Sequence, residues 1–232
     1  MQIVEFIGVS GAGKSTIAKS LIDSGKFPNW KTVQQVIGGT IGSLGKHSEW
    51  LSDLHKLMLD NKLQWLLKQP WTTIDLFDHL AFAQGIFYWE SRLREKRPSS
   101  FILADEHIVQ TTSGTFIELL QINPELVKPY FERRAVILVT TNQEQIVKNA
   151  LNRRATGELR AQLDKLRKEE LADYAKKFQS SLIDLTRALT ALGVPCFTVD
   201  NSGPLEVAVE AVGKILESLE SRASTDQWGL NR

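Results

Sequence analysis

The sequence predicts an α/β fold, a five-stranded parallel sheet with helices on both faces, and three observations predict it. Short apolar runs recur along the chain, helix-patterned segments separate them, and a glycine-rich turn follows the first run directly. The length of 232 residues suits one domain with insertions. A hydrophobic share of 42% with 24% charged residues sets aside disordered, collagen-like and coiled-coil classes.

Residues 2–7 are rich in Ile, Val and Phe and read as the first strand, followed by a glycine-rich loop and a helix to about Ser24. A second β-like run covers about Lys31–Ile37 and ends at Gly38-Gly39. From about Trp50 to Arg97 the pattern is helical, broken at Gln69-Pro70. Residues 101–104, ending at Asp105, and residues 135–139 are apolar runs that read as buried parallel strands. Between Glu158 and Leu189, apolar residues recur three or four apart and predict a long amphipathic helix. The last run, Val194–Val199, stops at Asp200, after which Gly203-Pro204 opens a helix to about Ser221. A single domain over residues 1–222 is expected, with a polar, mobile tail at 223–232.

Charge and cysteine bound the function classes. The balance, 28 − 27 = +1, supplies no general field for nucleic acid or anionic membrane, so neither is the expected partner. Cys196, the single cysteine, leaves no disulfide framework, and no run approaches the roughly 20 apolar residues of a membrane span. With no basic leader at the start, the expected setting is the cytoplasm. His47, His55, His79 and His107 have no metal-ligand spacing and are expected to be structural or exposed; Cys196 is expected to be an inert thiol within its strand.

Gly8-Val9-Ser10-Gly11-Ala12-Gly13-Lys14-Ser15 matches the phosphate-binding pattern G-x-x-x-x-G-K-[ST] at every fixed position, between a predicted strand and helix. Such a loop turns several backbone N–H groups toward one phosphate chain, and the helix N-terminus adds its positive dipole end. Gly8, Ser10, Gly11, Ala12, Gly13, Lys14, Ser15 and Thr16 are therefore the expected ATP contacts. Lys14 would bridge the β- and γ-phosphates and Ser15 would ligate Mg²⁺.

The remaining motifs choose among P-loop classes. No Asn-Lys-x-Asp motif for reading guanine is present, since Asn61-Lys62 continues as Leu63-Gln64, and the chain is short for a remodelling ATPase. A small-molecule kinase is the expected class. The segment at about 150–162 carries Arg153, Arg154 and Arg160 and reads as a lid whose cations close over the phosphates. A solvated helix face would also carry such charges. Asp105, at the carboxyl end of a strand, is the expected Mg²⁺ carboxylate and also the first choice for the base, with Glu106 second. Helical residues at about 45–97 form the expected acceptor insert, where Phe82 would stack on a planar ring and Gln84 would read its edge.

Together these residues resemble the nucleoside monophosphate kinase-like branch of P-loop kinases, and within it the thymidylate kinases, over Ile3 to about Ser221. The resemblance implies the P-loop NTPase three-layer fold with a lid. Gly38-Gly39-Thr40 keeps the end of that family's Arg-Glu-Pro-Gly-Gly-Thr, and Phe82-Ala83-Gln84-Gly85-Ile86 is similar to its Phe-Ala-Ala-Asp-Arg, with Ile86 where the acceptor-phosphate arginine would stand. Asp105-Glu106-His107 stands at its Asp-Arg-Tyr. The P-loop itself, Gly-Val-Ser-Gly, instead resembles gluconate and adenylylsulfate kinases, which phosphorylate hydroxyl groups. The expectation is a Mg²⁺- and ATP-dependent kinase acting on a small nucleoside- or nucleotide-like acceptor. Another hydroxylated acceptor (a sugar, a glycan precursor or a modified base in DNA) and a nucleotide-gated ATPase stay open, as does a homodimer.

Overall fold

The computed structural model describes residues 2–37, 53–68, 73–96, 100–156 and 166–224. Five strands, β1 (Gln2–Ile7), β2 (Trp30–Thr32), β3 (Phe101–Asp105), β4 (Arg134–Thr140) and β5 (Cys196–Asp200), form one parallel sheet in the order β2-β3-β1-β4-β5. The chain therefore winds one way from β1 to β3 and the other way to β4. Its switch point lies at the carboxyl end of β1, where doubly wound sheets open a crevice for ligands.

Ten helices are described: α1 (Lys14–Asp23), α2 (Val33–Ile37), α3 (Asp53–Leu67), α4 (Thr73–Lys96), α5 (Ile108–Thr111), α6 (Ser113–Ile122), α7 (Pro124–Val127), α8 (Gln143–Ala155), α9 (Lys168–Ala191) and α10 (Leu205–Ser224). One face of the sheet, with Val4, Phe6, Ile137 and Val139, packs on α1 and α10 through Ile17, Leu21, Val212 and Leu216. The other, with Ile7, Val136 and Leu138, meets Met58, Ile86, Phe116 and Leu185 from α3, α4, α6 and α9. Alternate strand residues thus serve two cores, which is why the runs are apolar throughout.

Two boundaries differ from the sequence expectation. The run Lys31–Ile37 is strand only to Thr32 and then turns into α2. Gln35 N donates to Thr32 Oγ1 at 3.2 Å and Thr32 N donates to Gln35 Oε1 at 2.8 Å, a reciprocal cap that starts a helix. Val33, Val36 and Ile37 then fall at helical spacing rather than alternating. The expected tail begins later than Ala223, because α10 runs through Ser224; residues 225–232 lie outside the described residues. Gly38, Gly39 and Thr40 also lie outside them, as does Arg160. Among the described residues no helix is long and apolar enough to cross a membrane.

Candidate functional site

The glycine-rich loop leaves β1 at Ile7 and enters α1 at Lys14, at the switch point. Its first residue cannot carry a side chain: Gly8 has φ 155°, and a Cβ there would lie 2.4 Å from the Val139 carbonyl oxygen of β4. The Gly8 N–H donates to Gln110 Oε1 of α5 at 2.9 Å. Within the loop, Ala12 N–H donates to Val9 O at 3.0 Å, while Ser15 and Thr16 lie exposed in the first turn of α1.

Lys14 is buried, and its ammonium has three oxygen partners. Nζ donates to Gly8 O at 2.7 Å and Val9 O at 3.2 Å, and it pairs with Glu106 Oε1 at 3.0 Å. Three donors on the ammonium meet three acceptors, so the cation is fixed at the mouth of the loop. Glu106 sits just past β3 at φ 52°, a left-handed conformation that costs a non-glycine residue roughly 1–2 kcal/mol. Beside it, the Asp105 carboxylate accepts a hydrogen bond from the Ser15 hydroxyl. Burial raises its pKa against that bond, and the Glu106 charge raises it further. Two hard oxygen ligands side by side fit a Mg²⁺ ion, so Ser15 and Asp105 are the residues that would hold one. Among the described residues no cluster of three His, Cys, Asp or Glu side chains stands elsewhere as a metal site.

Helix α8 lies against the loop on the other side. Ile146 and Ala150 pack on Val9, together with Leu171 and Ala175 of α9. Of the arginines expected of a lid, the two within the described residues, Arg153 and Arg154, divide here. Arg153 covers the loop, its Nη1 3.4 Å from where a Cβ on Gly11 would sit. Arg154 turns away and donates to the Leu166 carbonyl, joining the end of α8 to the approach of α9. Adjacent helix residues project about 100° apart, so the two side chains meet different surroundings. The part of the expected lid up to Ala155 is thus a helix docked on the P-loop.

The acceptor candidates lie on α4. Phe82 is exposed at 47% and Gln84 is also exposed. Two residues apart on a helix, they point about 200° from one another and do not line a common slot. Ile86 is fully buried among Leu54, Met58 and Phe87, so that position faces the core.

Beneath the site, on the α4 side of the sheet, lies a buried polar cluster that the sequence reading did not anticipate. Arg134, at the start of β4, donates to Glu90 of α4 and lies over the Tyr130 ring at 4.3 Å. The Glu90 charge holds the guanidinium protonated against the cost of burial. His107 caps α5, its Nδ1 accepting from Ile108 N at 2.9 Å. A nitrogen that accepts cannot carry the proton, so its 4.0 Å approach to Glu90 is not an ion pair. Burial pushes the His107 pKa down to about 4. In β1, burial pushes Glu5 up to about 8, although it accepts a hydrogen bond from Gln110 N at 2.9 Å. Gln110 consequently joins this cluster by its backbone to the P-loop by its side chain.

His55 completes the cluster, 3.8 Å from Glu90 Oε1. Cys196 is half-buried at the start of β5, and burial pushes its thiol up to about 11.

Three contacts to the loop escaped the sequence reading: Gln110 on Gly8, Asn149 on the Gly11 carbonyl and Asn201 on the Ala12 carbonyl. No motif marks them, because each is 102 to 189 residues away in sequence.

No family profile and no curated protein matches the sequence. Among solved structures, the fold is similar to deoxyadenosine kinase from M. mycoides with bound dATP, at 12% identity and a TM-score of 0.48. That match covers 94% of this chain and 100% of the other. It is also similar to shikimate kinase from Acinetobacter baumannii in complex with shikimate, at 14% identity and a TM-score of 0.37, with 96% and 94% covered.

Proposed function

We propose that the chain is a Mg²⁺- and ATP-dependent kinase that transfers the γ-phosphoryl group to a hydroxyl of a small, nucleoside-like acceptor. The observation that carries the reading is the convergence of Lys14, Glu106, Asp105 and Ser15 at the P-loop mouth on the switch point. A phosphate-binding cation, a metal-type oxygen pair and a second carboxylate are what phosphoryl transfer requires, because its catalysis is mainly positioning and charge compensation.

In this reading the P-loop amides and Lys14 hold the phosphate chain, and Arg153 supplies a second cation over it. A bound Mg²⁺ would neutralise charge between the β- and γ-phosphates, held by Ser15 and Asp105. The Asp105 carboxylate is engaged with Ser15, so the role of proton acceptor passes to Glu106, which is 40% exposed and reaches the same spot. When phosphate takes Lys14, the Glu106 carboxylate loses its cation and is repelled by the nucleotide. It is then available to accept the proton of an attacking hydroxyl.

Two features support a hydroxyl rather than a phosphate as acceptor. Two carboxylates stand at the transfer point, where they would repel a phosphate monoester. Position 86, where the thymidylate kinase resemblance puts an acceptor-phosphate arginine, is buried apolar core. Phe82, large and half-exposed, supplies a face for a planar ring. A soluble protein, a cytoplasmic location and a small molecule in preference to nucleic acid as acceptor belong to the same reading.

The test is a panel of nucleosides, nucleoside monophosphates and sugars with γ-labelled ATP, run beside Lys14→Ala. Label should appear on nucleosides in preference to their monophosphates, and the variant should transfer none. Transfer retained without Lys14 would remove the kinase reading, and a preference for monophosphates would restore a phosphate acceptor.

A further inference from the structure

Two side-chain carboxamides grip consecutive carbonyls of the P-loop from outside it. Asn149 of α8 donates from Nδ2 to Gly11 O at 2.8 Å, and Asn201, just beyond β5, donates from Nδ2 to Ala12 O at 2.8 Å. Both are themselves held in place. Gln145 Nε2 donates to Asn149 Oδ1 at 2.8 Å, which turns the amide of Asn149 toward Gly11. The Asn201 backbone N–H donates to Thr140 O at 2.8 Å, and its carbonyl accepts from Thr141 Oγ1 at 3.1 Å.

The seat of Asn201 also explains the third glycine of the motif. Gly13 has φ 94°, and a Cβ there would lie 2.2 Å from Asn201 Nδ2. The carboxamide therefore lies directly against the Gly13 backbone and needs that position bare.

A trans peptide points its C=O and the following N–H in opposite directions. Holding Gly11 O outward sends Ala12 N–H across the loop, where it meets Val9 O. Holding Ala12 O toward Asn201 likewise sends the Gly13 N–H to the opposite side of that peptide.

We infer that Asn149 and Asn201 are positioning residues for the donor's phosphate chain: together they clamp the Gly11-Ala12-Gly13 backbone so that the Gly13 N–H faces the phosphates before any ligand arrives. The inference rests on the reading of the P-loop as the nucleotide site. It adds that α8 and the β5 end set the shape of that site in advance, reducing the ordering cost of binding. One half of the clamp sits on the same helix as Arg153, four residues earlier, so the cation and the cradle are placed by one rigid element.

The experiment is calorimetry of the full-length chain with inorganic triphosphate and with ATP, for the wild type and for Asn149→Leu, Asn201→Leu and Asn201→Asp. Each leucine variant should bind triphosphate about tenfold more weakly, the size of one lost hydrogen bond. Asn201→Asp keeps the shape but sets an acceptor against the Ala12 carbonyl, and should lose at least as much. In turnover assays KM for ATP should rise while kcat at saturating ATP stays near wild type. Should Asn201→Leu fail to fold, Asn149→Leu and Asn201→Asp decide the matter. Wild-type triphosphate affinity in those variants would overturn the clamp alone. Failure of the wild-type chain to bind either triphosphate or ATP would overturn the clamp together with the nucleotide-site reading beneath it.

Discussion

Lys14 and Glu106 form an ion pair at the mouth of the P-loop, Nζ 3.0 Å from Oε1, with the lysine 3% exposed and the glutamate 40%. The glutamate holds this place with a left-handed backbone at φ 52°. Glu106→Gly relieves the backbone but strips the buried Lys14 ammonium of one acceptor, a loss of similar size, so denaturant unfolding should find its stability within about 1 kcal/mol of wild type. Glu106→Gln, which leaves a weaker competitor for Lys14, should bind ATP at least as tightly as wild type while turnover falls by roughly 10²-fold or more. Unchanged turnover would remove Glu106 as the proton acceptor, and Asp105→Asn would then be the variant to assay.

Arg153 and Arg154 are neighbours with different surroundings, one over Gly11 and one on the Leu166 carbonyl. Arg153→Ala should depress turnover and raise KM for ATP, with little change in melting temperature. Arg154→Ala should do the reverse, lowering stability by about 1 kcal/mol through a lost hydrogen bond and leaving transfer near wild type. A kinetic loss of equal size in both variants would contradict the division.

Glu5 and His107 give the fold an asymmetric dependence on pH. Burial keeps Glu5 protonated in the fold up to about 8, whereas the unfolded chain releases that proton near 4.5. Its contribution is therefore fully present below 4.5 and declines as pH rises toward 8. His107 has the opposite sign: it stays neutral in the fold down to about 4, while the unfolded chain takes up a proton near 6.5. Its contribution is present above 6.5 and is lost as pH falls toward 4. Between 4.5 and 6.5 the two slopes oppose and nearly cancel; above 6.5 only Glu5 acts, and stability should fall by up to about 1.4 kcal/mol per pH unit. Urea unfolding across pH 5–8 reads this out. Glu5→Gln should flatten the alkaline side and be the more stable protein at pH 8, and an unchanged slope in that variant would exclude Glu5 as the source.

Phe82 exposes nearly half of a large ring on α4, outside the packed face formed by Ala83, Ile86 and Phe87. If it stacks on a ring-bearing acceptor, Phe82→Ala should weaken acceptor binding by roughly 1–3 kcal/mol and leave ATP affinity unchanged. Gln84→Ala, on another side of the helix, should change neither. Equal loss of both ligands with a lower melting temperature would show Phe82 to be packing, and would move the acceptor toward a sugar-like molecule.

What the sequence determined by itself was contiguous. Strand, glycine-rich loop and helix follow one another at 2–23, and the parallel runs ending at Asp105 and Asp200 appear as β3 and β5 with those residues at their ends. Local backbone geometry and short-range apolar spacing encode such features within a few residues, so they are legible in one dimension. At 31–37 even this gave a strand where Thr32 and Gln35 cap a helix, because a short apolar run satisfies both periods. Only the tertiary structure decided which polar groups meet. Gln110, Asn149 and Asn201 reach the P-loop across 102, 138 and 189 residues. Glu90 meets Arg134 across 44, and Arg153 is told apart from Arg154 only by what each helix face confronts. These are single side chains with no repeating pattern. Their partners are set by sheet order and helix packing, which bring distant segments together after the local elements have formed.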